Sequence, residues 1–245
     1  MQPSMQAYGK TDVGRVRENN QDAFICGRLP DDALFVVVCD GMGGANGGNV
    51  ASALAVKVIS DRIVDIYRDG LASGSIRNLL ESAIAAANVE IYDTAMADLE
   101  LRGMGTTVVA AIVKWRELSL AHVGDSRAYL VGPEGLEQIT RDHSIVQAMV
   151  ERGQLTQDEA KNHPRKHFIT RALGVEETVE CDYCELAIPE GTRLLICTDG
   201  LTNMVEADDI YALLQSGEEA GAPDRLIHAA NMAGGSDNIT AVLVA

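Results

Sequence analysis

Apolar residues along this chain recur in two rhythms, and the rhythms change at well-marked places. Between residues 75 and 99, Ile76, Leu79, Leu80, Ala83, Ile84, Ala87 and Ile91 recur at steps that gather side chains on one face of a helix. Residues 49–67 repeat that pattern, with Leu54, Val58, Ile59, Ile63 and Ile66 on the inner face. Two strand-like runs precede these helices, one opening at Gln21-Asp22 and one closing at Asp40-Gly41. Three more strands are predicted over residues 106–114, 117–123 and 127–131. Trp115-Arg116 and Gly124-Asp125-Ser126 join them, and both connections are short enough for antiparallel hairpins. A short helix follows over residues 143–152 and a smaller one over 157–162, ended by Pro164. Strands return at 179–186, 193–198 and 238–244, with helices near 206–215 and 223–233. No stretch reads as a linker, a repeat or a low-complexity tract.

Strands joined by hairpins, with helices in separate pairs, point to an α+β fold rather than a parallel βαβ sheet. The strand ends carry the chemistry. Asp22, Asp40, Asp125, Asp199 and Asp237 each stand at the edge of an apolar run, most of them beside glycine. Carboxylates at the mouths of buried strands are costly unless they are paired or bind a metal. Hard cations such as Mg²⁺ and Mn²⁺ take oxygen ligands of this kind. Asp40 and Asp199 close their strands, whereas Asp22 and Asp237 open theirs. In antiparallel neighbours the end of one strand and the start of the next share a sheet edge. The four acids are therefore predicted to gather at one rim, joined by Asp125 from a hairpin tip.

Composition narrows the class further. Acidic residues number 36 against 20 basic ones, a formal charge of -16, which argues against a nucleic-acid partner. The first ten residues lack the basic start and apolar core of a secretion signal, and no apolar run is long enough to span a bilayer. Cys26, Cys39, Cys181, Cys184 and Cys197 are an odd set without framework spacing, which fits a reducing cytoplasm. Cys181-Asp182-Tyr183-Cys184 is a lone CxxC with no second pair for zinc, so a structural role is expected.

Several motifs fail sharper templates. The run from Asp40 to Gly48 lies between a strand and a helix, but GxGxxG breaks at Asn46 and the phosphate-loop pattern lacks its Lys-Ser/Thr. It is expected to be a flexible turn in which Asp40 and the Gly41 carbonyl face one cation. Gly124-Asp125-Ser126-Arg127-Ala128 approximates a nucleophile elbow, yet strand is predicted on both sides, so Ser126 is a turn residue. Arg17, five residues ahead of Asp22, would hold phosphate oxygens in a bidentate fork. His143 and His163 lie in or near the polar segment, where helix-terminal or surface roles compete with acid–base chemistry.

Eight motifs occur in one order: Arg17-Glu18-Asn19-Asn20-Gln21-Asp22, Asp40-Gly41-Met42-Gly43-Gly44, Gly105-Thr106-Thr107, Gly124-Asp125-Ser126-Arg127, Asp142-His143-Ser144, Thr170-Arg171-Ala172-Leu173-Gly174, Thr198-Asp199-Gly200 and Ser236-Asp237-Asn238-Ile239-Thr240. Together they resemble the metal-dependent serine/threonine phosphatases of type 2C, bacterial branch, over nearly the whole chain. The resemblance implies a four-layer α-β-β-α sandwich, two antiparallel sheets flanked by helices. It implies one catalytic domain over residues 1–245, without membrane tether or sensor, and a mobile flap at about 153–171. It also implies hydrolysis of phosphoserine and phosphothreonine at a binuclear Mn²⁺ or Mg²⁺ centre by a cytoplasmic monomer opposing a Ser/Thr kinase.

Carried over position by position, Asp40 would bridge two ions and Gly41 would lend its carbonyl. Asp199 and Asp237 would complete one ion, and Asp22 would act through a bound water. Asp125 with Asp199 would hold a third, weaker ion, and Arg17 would bind the substrate phosphate. Two ions about 3.5–4 Å apart activate water and clamp an in-line displacement. Two departures bear on the proton donor. Met42 stands where eukaryotic members carry a histidine proposed as general acid, and Gln21 replaces a glutamate. A metal-bound water or His163 then remains as donor. Two rivals compete: a catalytically silent phosphoprotein-binding member, and a metal-free esterase using Ser126.

Overall fold

A computed structural model describes residues 5–245; the first four positions of the expected 1–245 domain lie outside the described residues. Strands β1 (Ala7–Asp12), β2 (Asp22–Arg28) and β3 (Leu34–Met42) lead into the long helices α1 (Gly44–Ile66) and α2 (Ser73–Ala97). β4 (Gly105–Thr106), β5 (Val108–Lys114), β6 (Glu117–Val123), β7 (Arg127–Gly132) and β8 (Gly135–Gln138) follow, then α3 (Ile145–Glu151) and α4 (Gln157–Lys161). β9 (Asp182–Ala187) and β10 (Arg193–Cys197) precede α5 (Asp199–Thr202), α6 (Ala207–Gln215), α7 (Ala222–Met232) and the last strand, β11 (Ile239–Val244).

Two antiparallel sheets result, in the orders β2-β3-β5-β6-β9 (with β4 on β3) and β1-β11-β10-β7-β8. Strand alternation assigns every layer, because successive side chains point to opposite faces. Phe35, Val37 and Cys39 of β3 pack with Ile59, Ile63, Leu80 and Ile84 of α1 and α2. Leu34, Val36 and Val38 face the other way, onto Leu194, Ile196, Val242 and Val244 of the second sheet. The outer face of that sheet, through Leu195, Ala241 and Leu243, packs on Ile210, Leu214, Leu226 and Ile227 of α6 and α7. The layers are helix, sheet, sheet, helix. Among the described residues no helix is long and apolar enough to cross a membrane.

Three features depart from the pattern-based expectation. The glycine-rich run is not a turn: α1 begins at Gly44, five residues before the start expected at residue 49. Glycine is there for contact, since a Cβ on Gly41 would stand 2.0 Å from the Gly48 carbonyl oxygen. Gly124-Asp125-Ser126 is not a hairpin tip either. β6 pairs with β5 and β9, whereas β7 pairs with β10 and β8, so these residues carry the chain from one sheet to the other. The strands β1 and β8 carry too little apolar alternation to announce themselves; each is the edge of its sheet, half-exposed and partly polar. The cysteines do not depart from expectation: Cys181 and Cys184 lie against different cores, on opposite faces of the β9 strand and its approach, and all five are free.

Candidate metal centre

Along the inter-sheet faces the apolar alternation ends in polar groups at one rim. After Leu34, Val36 and Val38, the next inward position of β3 is Asp40. Directly across the ladder stands Asp22, the first residue of β2. In the facing sheet the same inward rows end in Thr198 and Thr240. Both threonine hydroxyls donate to Asp22 Oδ2, at 2.8 and 2.6 Å, so one carboxylate oxygen fastens the two sheets together. The other, Oδ1, is buried with no partner. An ionisable oxygen left in that state is costly unless a proton or a cation meets it.

The remaining acids converge on this pair. Asp199 opens α5 rather than closing β10, and Asn203 donates to its Oδ2 at 2.8 Å. Asp237 stands two residues before β11, its Oδ1 accepting the Asn238 N–H at 2.9 Å. Asp125 lies in the crossover, beside buried Ser126. Their charges act on one another. Burial pushes Asp22 up to about 7 against the two threonine hydrogen bonds, and Asp199 and Asp237 add to the rise. Burial, then Asp22, Asp199, Asp125 and Asp237, hold the Asp40 carboxyl well above the ordinary range. Burial and Asp199 do the same for Asp125, and burial and Asp237 raise Asp199. Such a concentration of oxygen donors, with one buried oxygen unpartnered, fits a hard divalent cation. Asp22, Asp40, Asp125, Asp199 and Asp237 thus act on one another from β2, β3, the crossover, α5 and the loop before β11, rather than all from strand ends.

Backbone and hydroxyl groups hold the cluster in place. Thr107 receives the Asp40 N–H at its Oγ1, donates its own N–H to the Asp40 carbonyl, and shares a 2.7 Å hydroxyl contact with Ser126. Gly41 donates its N–H to the Gln21 carbonyl, and Gln21 donates through Nε2 to the Gly44 carbonyl, tying the start of β2 to the start of α1. The Asn238 side chain accepts from the Gln21 N–H and donates to Val13 and Asn19. Thr107, Thr198, Asn238 and Thr240 lie within the ordered motifs, but their roles emerge only in the folded chain. Thr198 and Asn238 each adjoin an acid in sequence, whereas Thr107 and Thr240 carry no such local signal.

Arg17 reaches this rim with an exposed guanidinium, donating to Asp237 Oδ2 at 2.8 Å. It therefore contacts a candidate ligand as well as facing solvent. Of the histidines, His163 accepts the Arg165 N–H through Nδ1, and His167, unnoticed in the sequence, is exposed. From Asp125 and Asp199 a cleft of about 620 Å³ extends between Asn162 and Lys166 on one side and Thr202 and Asn203 on the other. The segment that covers it carries α4, which opens with a Thr156–Glu159 capping box.

Comparisons with known proteins agree with this geometry. A family profile described as protein phosphatase 2C matches residues 14–229. A serine/threonine phosphatase, stp, of Listeria monocytogenes is 41% identical over 241 residues, covering 98% of this chain and 95% of that protein. The solved serine/threonine phosphatase of S. agalactiae superposes with a TM-score of 0.92 at 36% identity, with 98% of each chain covered. The catalytic domain of the phosphatase PstP, solved in complex with two manganese ions, superposes at 0.84 with 34% identity, covering 98% of this chain and 97% of that one. With most of its length matched in sequence and its layers matched in space, the chain belongs to the protein phosphatase 2C family of metal-dependent phosphoprotein phosphatases.

Proposed function

We propose that this protein hydrolyses phosphoserine and phosphothreonine in phosphorylated proteins at a binuclear Mn²⁺ or Mg²⁺ centre, opposing a Ser/Thr kinase. The convergence of five aspartates on one rim, with a buried Asp22 oxygen lacking a partner, carries this reading. Asp40, the Gly41 carbonyl, Asp199 and Asp237 would hold the two core ions, with Asp22 at an outer position. Asp125 and Asp199 would hold a weaker third. Such ions supply Lewis acidity that lowers the pKa of attacking water and neutralises phosphoryl charge. Arg17, exposed at the same rim, orients the phosphoryl oxygens by charge-assisted hydrogen bonds. Met42 has no proton to give, and His163 spends Nδ1 on the Arg165 N–H. His163, with Nδ1 accepting, carries its ring proton on Nε2 and would protonate the leaving alkoxide. Residues 153–171 serve as the flap, and the reading keeps the cytoplasmic, monomeric state drawn from the sequence.

The esterase alternative loses support because Ser126 is buried and its hydroxyl is engaged by Thr107. Turnover of a phosphothreonine peptide should require added Mn²⁺ or Mg²⁺ and stop in chelator. Asp40→Asn should abolish it, and Ser126→Ala should retain it. Full activity in chelator or in Asp40→Asn would overturn the two-ion reading. Metal binding without turnover in the wild-type protein would favour the silent phosphoprotein-binding alternative.

A further inference from the structure

Behind the sheet-to-sheet crossover lie two buried histidines that the metal chemistry does not use. His122, on β6, and His143, just ahead of α3, stack with ring centroids 4.7 Å apart and planes within 16°. With Asp182 of β9 they place three potential ligand atoms within 4.8 Å of one another. Hydrogen bonding rules out a chelate. His143 Nδ1 accepts the Gly124 N–H at 3.1 Å, so its lone pair is already engaged. In the neutral ring the proton must then sit on Nε2, which is buried without a formed hydrogen bond, its nearest anion being Asp182 Oδ2 at 3.4 Å. Neither nitrogen has a lone pair to offer a cation.

What remains is a chain of oriented groups. Arg171 holds Asp182 Oδ1 at 2.7 Å; Asp182 faces His143 Nε2; His143 Nδ1 receives Gly124; and Gly124 precedes Asp125. Against its partial burial, Arg171 and His143 lower the Asp182 carboxyl below its ordinary value, while burial and Arg171 lower the His143 imidazole. Gly124 needs such a hold, for it sits at φ 105 and packs so tightly that a Cβ would meet the Thr107 methyl at 2.5 Å. The backbone of His143 doubles the attachment: its N–H donates to the Gly124 carbonyl at 2.9 Å, and its carbonyl accepts from Thr170 at 2.7 Å.

We propose that Asp182 and His143 form a positioning relay that fixes the His143 tautomer, captures the Gly124 N–H and thereby aims Asp125. The proposal rests on the reading of Asp125 as a ligand of the weaker ion. His122 braces the relay by stacking on the His143 ring. Neither histidine is a catalytic residue here.

The test compares His143→Leu, His143→Asn, Asp182→Asn and Asp125→Asn, alone and as the Leu/Asn double variant at 143 and 125. Turnover of p-nitrophenyl phosphate is followed while Mn²⁺ is titrated, with melting temperature recorded beside it. His143→Leu should lower kcat about five- to tenfold and raise the Mn²⁺ requirement, leaving KM within about twofold. His143→Asn, whose amide oxygen can replace Nδ1 as acceptor, should recover most of kcat. Asp182→Asn, at a half-exposed site that tolerates the change, should move kcat in the same direction. In the Asp125→Asn background, His143→Leu should cost nothing further, because residues that act through one another are not additive. Equal losses in the Leu and Asn variants, or an undiminished effect in the Asp125→Asn background, would reduce His143 to packing and overturn the relay. Impaired Asp125→Asn beside normal Asp182→Asn and His143→Leu would reject the relay and keep the third-ion reading. Normal Asp125→Asn would remove that reading and the relay with it.

Discussion

Asp22 combines two duties that pull against each other. One oxygen fastens the sheets through Thr198 and Thr240, and the other lies buried and unpartnered. Burial pushes its titration from 3.8 in the free residue up to about 7. A carboxyl whose pKa rises on folding favours the folded state while protonated, so its contribution is complete below the unfolded value and fades as pH rises through about 7. In chelator, wild type should therefore lose stability relative to Asp22→Asn across that window, by roughly 2–4 kcal/mol. Urea melts at several pH values would read this; a pH-independent difference would show that Asp22 is not the strained acid. Arg17 makes a separate prediction. Its guanidinium is exposed and already engages an anion, so Arg17→Ala should raise KM for phosphopeptide by about 10–100-fold with a smaller effect on kcat. Unchanged steady-state kinetics would remove Arg17 from the substrate site.

Elements carry these residues by contacts that single-residue chemistry does not display. The start of α1 presses on the end of β3 at backbone distance, and no side chain fits between Gly41 and Gly48. Gly41→Ala should destabilise the fold by at least about 2 kcal/mol and disorder the Asp40 end of the strand, lowering the urea midpoint and activity together. A variant that melts like wild type would show that the helix start has room to shift. Periodicity made the bodies of α1, α2 and the central strands legible, because their inner faces are apolar at the right spacing. It did not reveal the start of α1, where Gly47 and Gly48 pack closely against Met104, Gln21 and Gly41 and offer no apolar side chain to mark the inner face. Nor did it separate β6 from β7. A three-residue connection suits a hairpin and a crossover equally, and only the choice of neighbours, β9 for one and β10 for the other, distinguishes them.

Across the whole molecule, the rim concentrates negative charge in a protein already at -16, so the cluster destabilises the fold until a cation meets it. Divalent ions should therefore raise the melting temperature by mass action. At a concentration one hundred times the Kd the gain is about 2.7 kcal/mol, or roughly 5–10 °C for a chain of this size. A calorimetric scan with and without Mn²⁺ tests it, and Asp40→Asn should erase most of the shift. An unchanged melt in wild type would mean that the carboxylates do not bind the ion in the folded state. By itself the sequence determined the α+β class, the two long helices and the five aspartates beside apolar runs, since each is written in local spacing and residue type. The ordered motifs also determined the family. Tertiary structure alone decided that inward rows of two sheets meet, Asp22 and Asp40 from one and Thr198 and Thr240 from the other, and that the threonines leave Asp22 with one oxygen satisfied and one free. It also decided that Asp125 reaches them from a crossover held by His143. These depend on which strands pair and which faces meet, and pairing between segments far apart in the chain leaves no periodic trace in either segment alone.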